Sequence, residues 1–230
     1  MGFAGGYEHS DLSTSRGANA ATDRANAGAV LKYNPGLLLL AAGVTGSAGW
    51  TDTERNISFG GFNGTATAST RVDALNGRLH ASYLFNQGGW YWKPIVDANV
   101  TRLNLDGFSE QGGNGANLIV SSSAATVYSV SPALEIGGDL PLGNGMLARP
   151  FIRGGVTAYD PTSFKLTAAF AAAPTLPFQV SSKIDGIVAD VSAGVDIFGT
   201  GNSVLRFQYD GQIGDTTQRH AGSIKGSLPF

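Results

Sequence analysis

Apolar positions along this chain recur with a period of two. Leu75, Gly77, Leu79, Ala81, Tyr83 and Phe85 alternate with Asn76, Arg78, His80 and Ser82. Trp92, Pro94, Val96, Ala98 and Val100 alternate with Lys93, Asp97, Asn99 and Thr101. Tyr128, Val130, Pro132, Leu134 and Ile136 oppose Ser129, Ser131 and Glu135, and Pro150, Ile152 and Val156 oppose Arg149 and Arg153. Ile187, Ala189, Val191, Ala193, Val195 and Ile197 oppose Asp190, Ser192 and Asp196, and Leu205, Phe207, Tyr209 and Ile213 oppose Arg206, Gln208, Asp210 and Gln212. The chain closes the same way, with Ile224, Gly226, Leu228 and Phe230 on one side and Ser223, Lys225, Ser227 and Pro229 on the other. Neighbouring side chains of a strand point to opposite faces. The pattern therefore predicts strands, and helical periodicity is almost absent. Three earlier stretches read likewise: Phe3, Gly5 and Tyr7; then Ala25 to Tyr33 with Asn26, Gly28 and Lys32 opposite; then 37–51, ending at Trp50. The expected total is ten strands.

The connections alternate in length. Segments 10–23, 52–70, 104–125 and 160–183 read as long, and 34–36, 86–89, 139–146 and 199–202 as short turns rich in Gly, Asn and Pro. Only the connection near 214–216 breaks the rhythm. Long loops at one end and short turns at the other are the signature of an antiparallel up-and-down transmembrane β-barrel. A soluble sandwich also alternates along its strands, but nothing makes its loop lengths alternate by end.

The polar face is charged as well as polar. It carries Lys32, Arg78, His80, Lys93, Asp97, Glu135, Arg149, Arg153, Asp190, Asp196, Arg206, Asp210 and Lys225. These are expected to line a watery lumen, with the apolar face against lipid, where a mid-membrane Arg or Lys costs roughly 2–4 kcal/mol. Arg102 and His220 fall on the apolar parity, but at strand ends. Tyr33, Trp50, Tyr83, Phe85, Trp90, Trp92, Tyr128, Tyr159, Phe198 and Phe230 sit near strand ends and suit interfacial girdles.

Composition narrows the chemistry. A net charge of −2 with 14% charged residues argues against nucleic acid and against a polybasic surface protein. The chain has no cysteine, which excludes disulfides, thiolate metal sites and cysteine nucleophiles. No run approaches the ~20 apolar residues of a spanning helix. No signal peptide is visible at Met1, so an exported mature protein would make this a piece of a longer chain. His9, His80 and His220 are far apart in sequence. No nucleophile elbow, zinc motif, phosphate loop or nucleotide fingerprint is present. The expectation is a protein without catalytic machinery, cofactor or metal.

In their order, the segments resemble the translocator β-domain of autotransporters, the type V secretion proteins. Ala74 to Phe85 resembles that family's Gly-and-aromatic strand, and Trp92 to Val100 its Pro-containing strand. Asp106-Gly107-Phe108-Ser109-Glu110-Gln111-Gly112 is similar to its Asp-Gly-Phe-x-Glu-x-Gly turn, the most specific piece. Phe207, Tyr209, Gly211 and the terminal Phe230 fit its last hairpin, and Ile224, Gly226, Leu228 and Phe230 resemble its C-terminal assembly signal; Pro229 departs from it.

The resemblance implies a twelve-stranded barrel preceded by a pore helix and a secreted passenger. On that reading residues 1–230 form one β-barrel domain lacking the first two strands, the helix and the passenger, and Phe3 to Tyr7 match the third strand. It implies a bacterial outer-membrane translocator and anchor whose partners are the lipid bilayer, the barrel-assembly machinery and its own passenger. A small porin-like or adhesin-like barrel acting through its long loops is the alternative. Some family members cut their passenger inside the pore, which puts Asp97, Glu135, Asp190 and Asp196 among the lumenal carboxylates to inspect. Asp106 and Glu110 are expected to shape a loop beside the strand mouth.

Overall fold

The computed structural model describes residues 1–15, 17–199, 201 and 203–227, and the side chain of Phe59 is left aside. The described residues form sixteen strands and no helix. In chain order these are β1 (Gly2–Ser13), β2 (Ala18–Tyr33), β3 (Leu38–Phe59), β4 (Phe62–Tyr83), β5 (Phe85–Gln87), β6 (Trp90–Leu105), β7 (Phe108–Ser109) and β8 (Leu118–Val120). They continue as β9 (Ser123–Gly138), β10 (Leu140–Gly143), β11 (Met146–Asp160), β12 (Ser163–Phe170), β13 (Phe178–Lys183), β14 (Ile187–Phe198), β15 (Val204–Ile213) and β16 (Gln218–Ser227).

Ten long strands run as one antiparallel meander in the order β1-β2-β3-β4-β6-β9-β11-β14-β15-β16. They are the ten stretches that the alternation marks out. The short β5 and β10 pair with β6 and β11 within segments expected to be turns only. Among the described residues, β1 pairs only with β2 and β16 only with β15, so the sheet keeps two open edges. Leu228 and Phe230 of the C-terminal signal lie outside the described residues. Ile224 and Gly226 stand opposite Phe207 and Leu205 on the apolar face.

The sheet curls. One trough of about 400 Å³ is lined by side chains from β4 through β16, including Arg78, Asp97, Arg153, Asp190, Asp210 and Arg219. Arg153 on β11 reaches Asp210 on β15 across β14, at 3.6 Å. The charged face is therefore concave and the apolar face convex. The convex face is bare: Leu79 is 63% exposed, Ile152 58% and Ile187 68%. In water such a surface would aggregate; against hydrocarbon it is what the solvent requires.

A band height follows from β3. From Leu40 to Trp50 its outward residues are apolar or small, and Asp52 follows. That stretch advances about 33 Å, or about 23 Å of height at a 45° tilt, close to the apolar band of about 25 Å typical of such barrels. Trp50 and Tyr128 mark one rim. Tyr33, Tyr83, Phe85, Trp90 and Trp92 mark the other, with Phe85 stacked on Trp92 at 3.8 Å.

Two expected long loops are strands. β1 and β2 close over residues 14–17 rather than 10–23, and β3 and β4 run to a two-residue turn at Gly60 and Gly61 rather than stopping at 52 and 70. Both glycines have positive φ, 54° and 84°, which suits a tight hairpin turn. Above the apolar band both faces are wet, so the hydrophobic alternation fades although the backbone ladder continues. Segments 104–125 and 160–183 also contain unforeseen strands. β7, β8, β12 and β13 form a second sheet in the order β13-β12-β8-β7. A Thr67–Gln111 bridge ties this tier to β4.

Candidate functional site

The concave wall holds most of its charges in pairs. Near its middle Asp97 accepts hydrogen bonds from Arg78 at 2.9 Å and bonds His80 at 2.9 Å, and the other His80 nitrogen lies 3.2 Å from the Ser82 hydroxyl. The register sets this up, because His80 faces Asp97 directly and Arg78 faces Asn99 one step on. A second group spans β9 to β15. Thr157 donates to Asp190 at 2.5 Å and Gln212 to the same carboxylate at 2.7 Å. Arg153 donates to Ser192, and Ser192 donates to Asp210 at 2.6 Å.

The third group lies toward the short turns. Lys93 pairs with Glu135 at 2.5 Å, and the Tyr91 hydroxyl donates to Glu135 at 2.9 Å. Arg206 grips Asp196 with two bonds, at 2.5 and 2.6 Å, and Arg149 grips Asp139 likewise, at 2.6 and 3.1 Å. Such forked contacts are stronger and more directional than single ones. Arg149 also lies over the Tyr91 and Phe198 rings, and Arg206 over Phe151. Lys225 stands opposite Arg206 in the register.

Phe198 and Tyr159 therefore face inward, contrary to their assignment to the girdle: Phe198 lies under Arg149, and Tyr159 lines the trough. Position near a strand end does not fix which face a residue takes; parity does, and both share parity with the charged residues of their strands.

Two inward aromatics went unread. Tyr91 and Phe151 are each 7% exposed. Each lies over a glycine directly opposite on the next strand, Tyr91 over Gly137 and Phe151 over Gly194. A Cβ on Gly137 would come within 2.5 Å of the Tyr91 ring. Their parity with Lys93 and with Arg149 and Arg153 was a visible signal. The glycine on the neighbouring strand was not, because strand register is a tertiary fact.

All four carboxylates of interest for self-cleavage are engaged: Asp97 by Arg78 and His80, Glu135 by Lys93 and Tyr91, Asp190 by Thr157 and Gln212, Asp196 by Arg206. The wall offers fixed charge and hydrogen-bonding groups along a wet path. Among the described residues no three His, Asp or Glu side chains converge as metal ligands.

Glu110 of the turn motif is a clamp. Arg55, inward on β3, donates to both its carboxylate oxygens, at 3.0 and 2.5 Å, and to the Ala116 carbonyl. The Leu118 amide donates to Glu110 as well, at 2.8 Å. Asp106 acts through its backbone: its amide donates to the Arg71 carbonyl and its carbonyl accepts from Thr70. Gly107 lets the chain pass close to Val120 and Ser122, since a Cβ there would meet backbone at 3.0–3.1 Å. Phe108 pairs with Val120 in the short β7–β8 ladder. Glu110 is nearly buried, with 8% of its side chain exposed, so Arg55→Ala strands a carboxylate. The expected result is a local loss of about 1–3 kcal/mol, read as faster proteolytic nicking of residues 106–122 while the membrane-embedded core stays protected.

A second latch joins the outer connections. Asp185, 8% exposed, accepts bonds from the Thr216 hydroxyl at 2.7 Å and from the Thr216 and Thr217 amides. These bonds, the Thr216 hydroxyl first, hold its carboxyl below the usual carboxylate range, against the opposing effect of burial. A depressed value adds stability above the unfolded titration point and loses it as pH falls through the folded one. The latch is thus intact at neutral pH and opens only below about pH 4. The protection of the Thr216 and Thr217 amides relative to their intrinsic exchange rates should fall in acid, and Asp185→Asn should remove that pH dependence.

A curled, open-edged antiparallel sheet with a charged concave face and a hydrocarbon-matched convex face is the wall of an outer-membrane-type β-barrel. The family model described as the autotransporter beta-domain matches residues 1–210, and the chain belongs to that family. Membership makes it the translocator portion of a type V secretion protein. Two solved structures share the fold. The beta domain of the Bordetella autotransporter BrkA superposes with a TM-score of 0.71 at 19% identity, covering 99% of this chain and 82% of that one. The translocator domain of autotransporter NalP from Neisseria meningitidis gives 0.71 at 16% identity, covering 97% and 72%. No curated protein matches the sequence.

Proposed function

We propose that this chain stands in the bacterial outer membrane, anchors a passenger there and lines the path by which the passenger leaves the cell. The observation that carries the reading is the family match over residues 1–210, together with the division of the wall into a paired, charged concave face and a bare apolar convex one. The charged face keeps the path hydrated. Its fixed dipoles also give an exiting polar backbone temporary partners, so no single position traps it.

The open edges of β1 and β16 support a further element of the reading. In hydrocarbon each unpaired backbone group costs several kcal/mol. We propose that two more strands join these edges and complete a twelve-stranded barrel, assembled by the barrel-assembly machinery. The partial coverage of both translocator structures agrees with this. On this reading the 230-residue stretch alone does not insert stably, and heat-modifiable migration of that stretch on a gel would count against the two added strands.

The translocation test uses the full-length protein in a Gram-negative host. Protease added to intact cells should remove the passenger when the barrel is native. A variant with Arg153, Asp190 and Asp210 all changed to leucine should still reach the membrane but slow exposure of the passenger. Unchanged surface exposure after the whole β-domain is replaced by an unrelated membrane anchor would sink the translocator reading.

A further inference from the structure

The apolar band on the convex face is not equally tall all round. Its outward positions run from Phe85 to Leu75 across β5 and β4, from Trp90 to Val100 on β6, from Gly138 to Tyr128 on β9 and from Ile197 to Ile187 on β14. Each of these stretches gives about 23 Å of height at a 45° tilt, as β3 does. On β11 the outward stretch runs from Met146 to Ala158, about 28 Å on the same measure. Two strands fall short. On β2 the stretch is Tyr33 to Ala25 and on β15 Leu205 to Ile213, with Asp23 and Asp215 next in line. Each gives about 19 Å. These two are the strands beside β1 and β16, the open edges of the sheet.

Polar groups also reach further into the band on this side. On β16 the outward His220 stands opposite Gly211, within the stretch that is apolar on β15, and its Nδ1 lies 2.6 Å from the Tyr209 hydroxyl. On β1 the outward His9 has Asp23 at 2.7 Å and Asp11 at 3.4 Å, and the Tyr7 hydroxyl donates to the same Asp23. A band shorter than its bilayer is met by thinner lipid, by flanking side chains that reach the interface, or by association. Aspartate and histidine lack the long stems with which lysine and arginine lift a charge to headgroup level. Tilting the barrel moves both limits of a strand together and leaves the height between them unchanged.

We propose that the bilayer is locally thin along the side formed by β15, β16, β1 and β2, and of ordinary thickness against β4 to β14. The partner of that side is a compressed patch of lipid whose headgroups are drawn in toward Asp23 and His220. Thin hydrocarbon lies where the two edges have to be closed, and it shortens the run of backbone that meets lipid unpaired, where each orphan group is costly. The proposal rests on the outer-membrane translocator reading.

The test uses the full-length protein in phosphatidylcholine vesicles, with single spin-labelled cysteines; residues 1–230 contain none of their own. Label depth is read from collisions with oxygen and with a water-soluble nickel chelate. A27C and L31C on β2 lie one outward step either side of Ala29, the middle of its band. P150C and G154C on β11 lie likewise about Ile152. Both β2 labels should sit about 5 Å nearer their headgroups than the β11 labels on the same side of the middle. If one of these variants fails to insert, A25C and Y33C with A148C and V156C, one step further out, make the same comparison. Equal depths on the two strands would overturn the proposal. So would one β2 label shallower and the other deeper, which is a tilted barrel in an even bilayer, or β2 labels that meet neither reagent, which is a protein neighbour. Wild-type protein that does not insert overturns the translocator reading and this one with it; insertion with equal depths overturns this one alone.

Discussion

Arginine in place of Val96 should lower the stability of the inserted barrel by about 2–4 kcal/mol. Val96 is 48% exposed on the convex face, between Ala81 and Pro132 in the register, midway between Trp92 and Val100. Its surroundings are hydrocarbon, and an arginine at that depth reaches neither rim without deforming the bilayer. The same change at Asn99, three residues on but on the concave face, meets water and the pocket containing Arg78, Asp97 and Ser129. Its expected cost is smaller, about 1 kcal/mol, from the facing Arg78 and the lost bond to Ser129. Urea titration of the full-length protein in vesicles measures both. Equal costs at the two positions would mean that the faces are not divided between lipid and water.

Gly194→Ala should destabilise by about 1–3 kcal/mol or more, as overpacking does. A Cβ there would lie 2.4 Å from the Phe207 carbonyl oxygen and 2.8 Å from the Phe151 ring. The ring is held in turn by Arg206 above it, 5.3 Å from the ring centroid, and Arg206 is forked onto Asp196. One methyl group therefore disturbs the backbone ladder and a charged cluster together. Gly154→Ala, in β11 and with open space around its Cβ position, is the matched control and should be neutral within about 0.5 kcal/mol. The same urea titration separates them, and a silent Gly194→Ala would show that the Phe151 ring does not sit where it is described.

Much of this molecule was legible because a membrane barrel writes its solvent into its sequence. Each strand meets hydrocarbon on one side and water on the other, so parity alone sorted Arg78 from Leu79 and Asp97 from Val96. The places where reading failed are those where that contrast vanishes. Residues 52–70 look like a loop because both faces of the β3–β4 extension are wet. The β12–β13 hairpin was hidden in a segment with three prolines and no clear period. Tyr159 and Phe198 were misassigned by trusting position over parity. Arg55, the partner of Glu110, lies 55 residues earlier in the chain, and no local pattern joins them.

By itself the sequence determined the ten long strands of the main sheet and the family of the fold, because those follow from period-two alternation and short motifs. Only the tertiary structure decided which charges pair, which glycines lie under Tyr91 and Phe151, and how the second tier clamps onto β3 and β4. Pairing depends on register between strands and on curvature across several of them, and neither is encoded in any single stretch of chain.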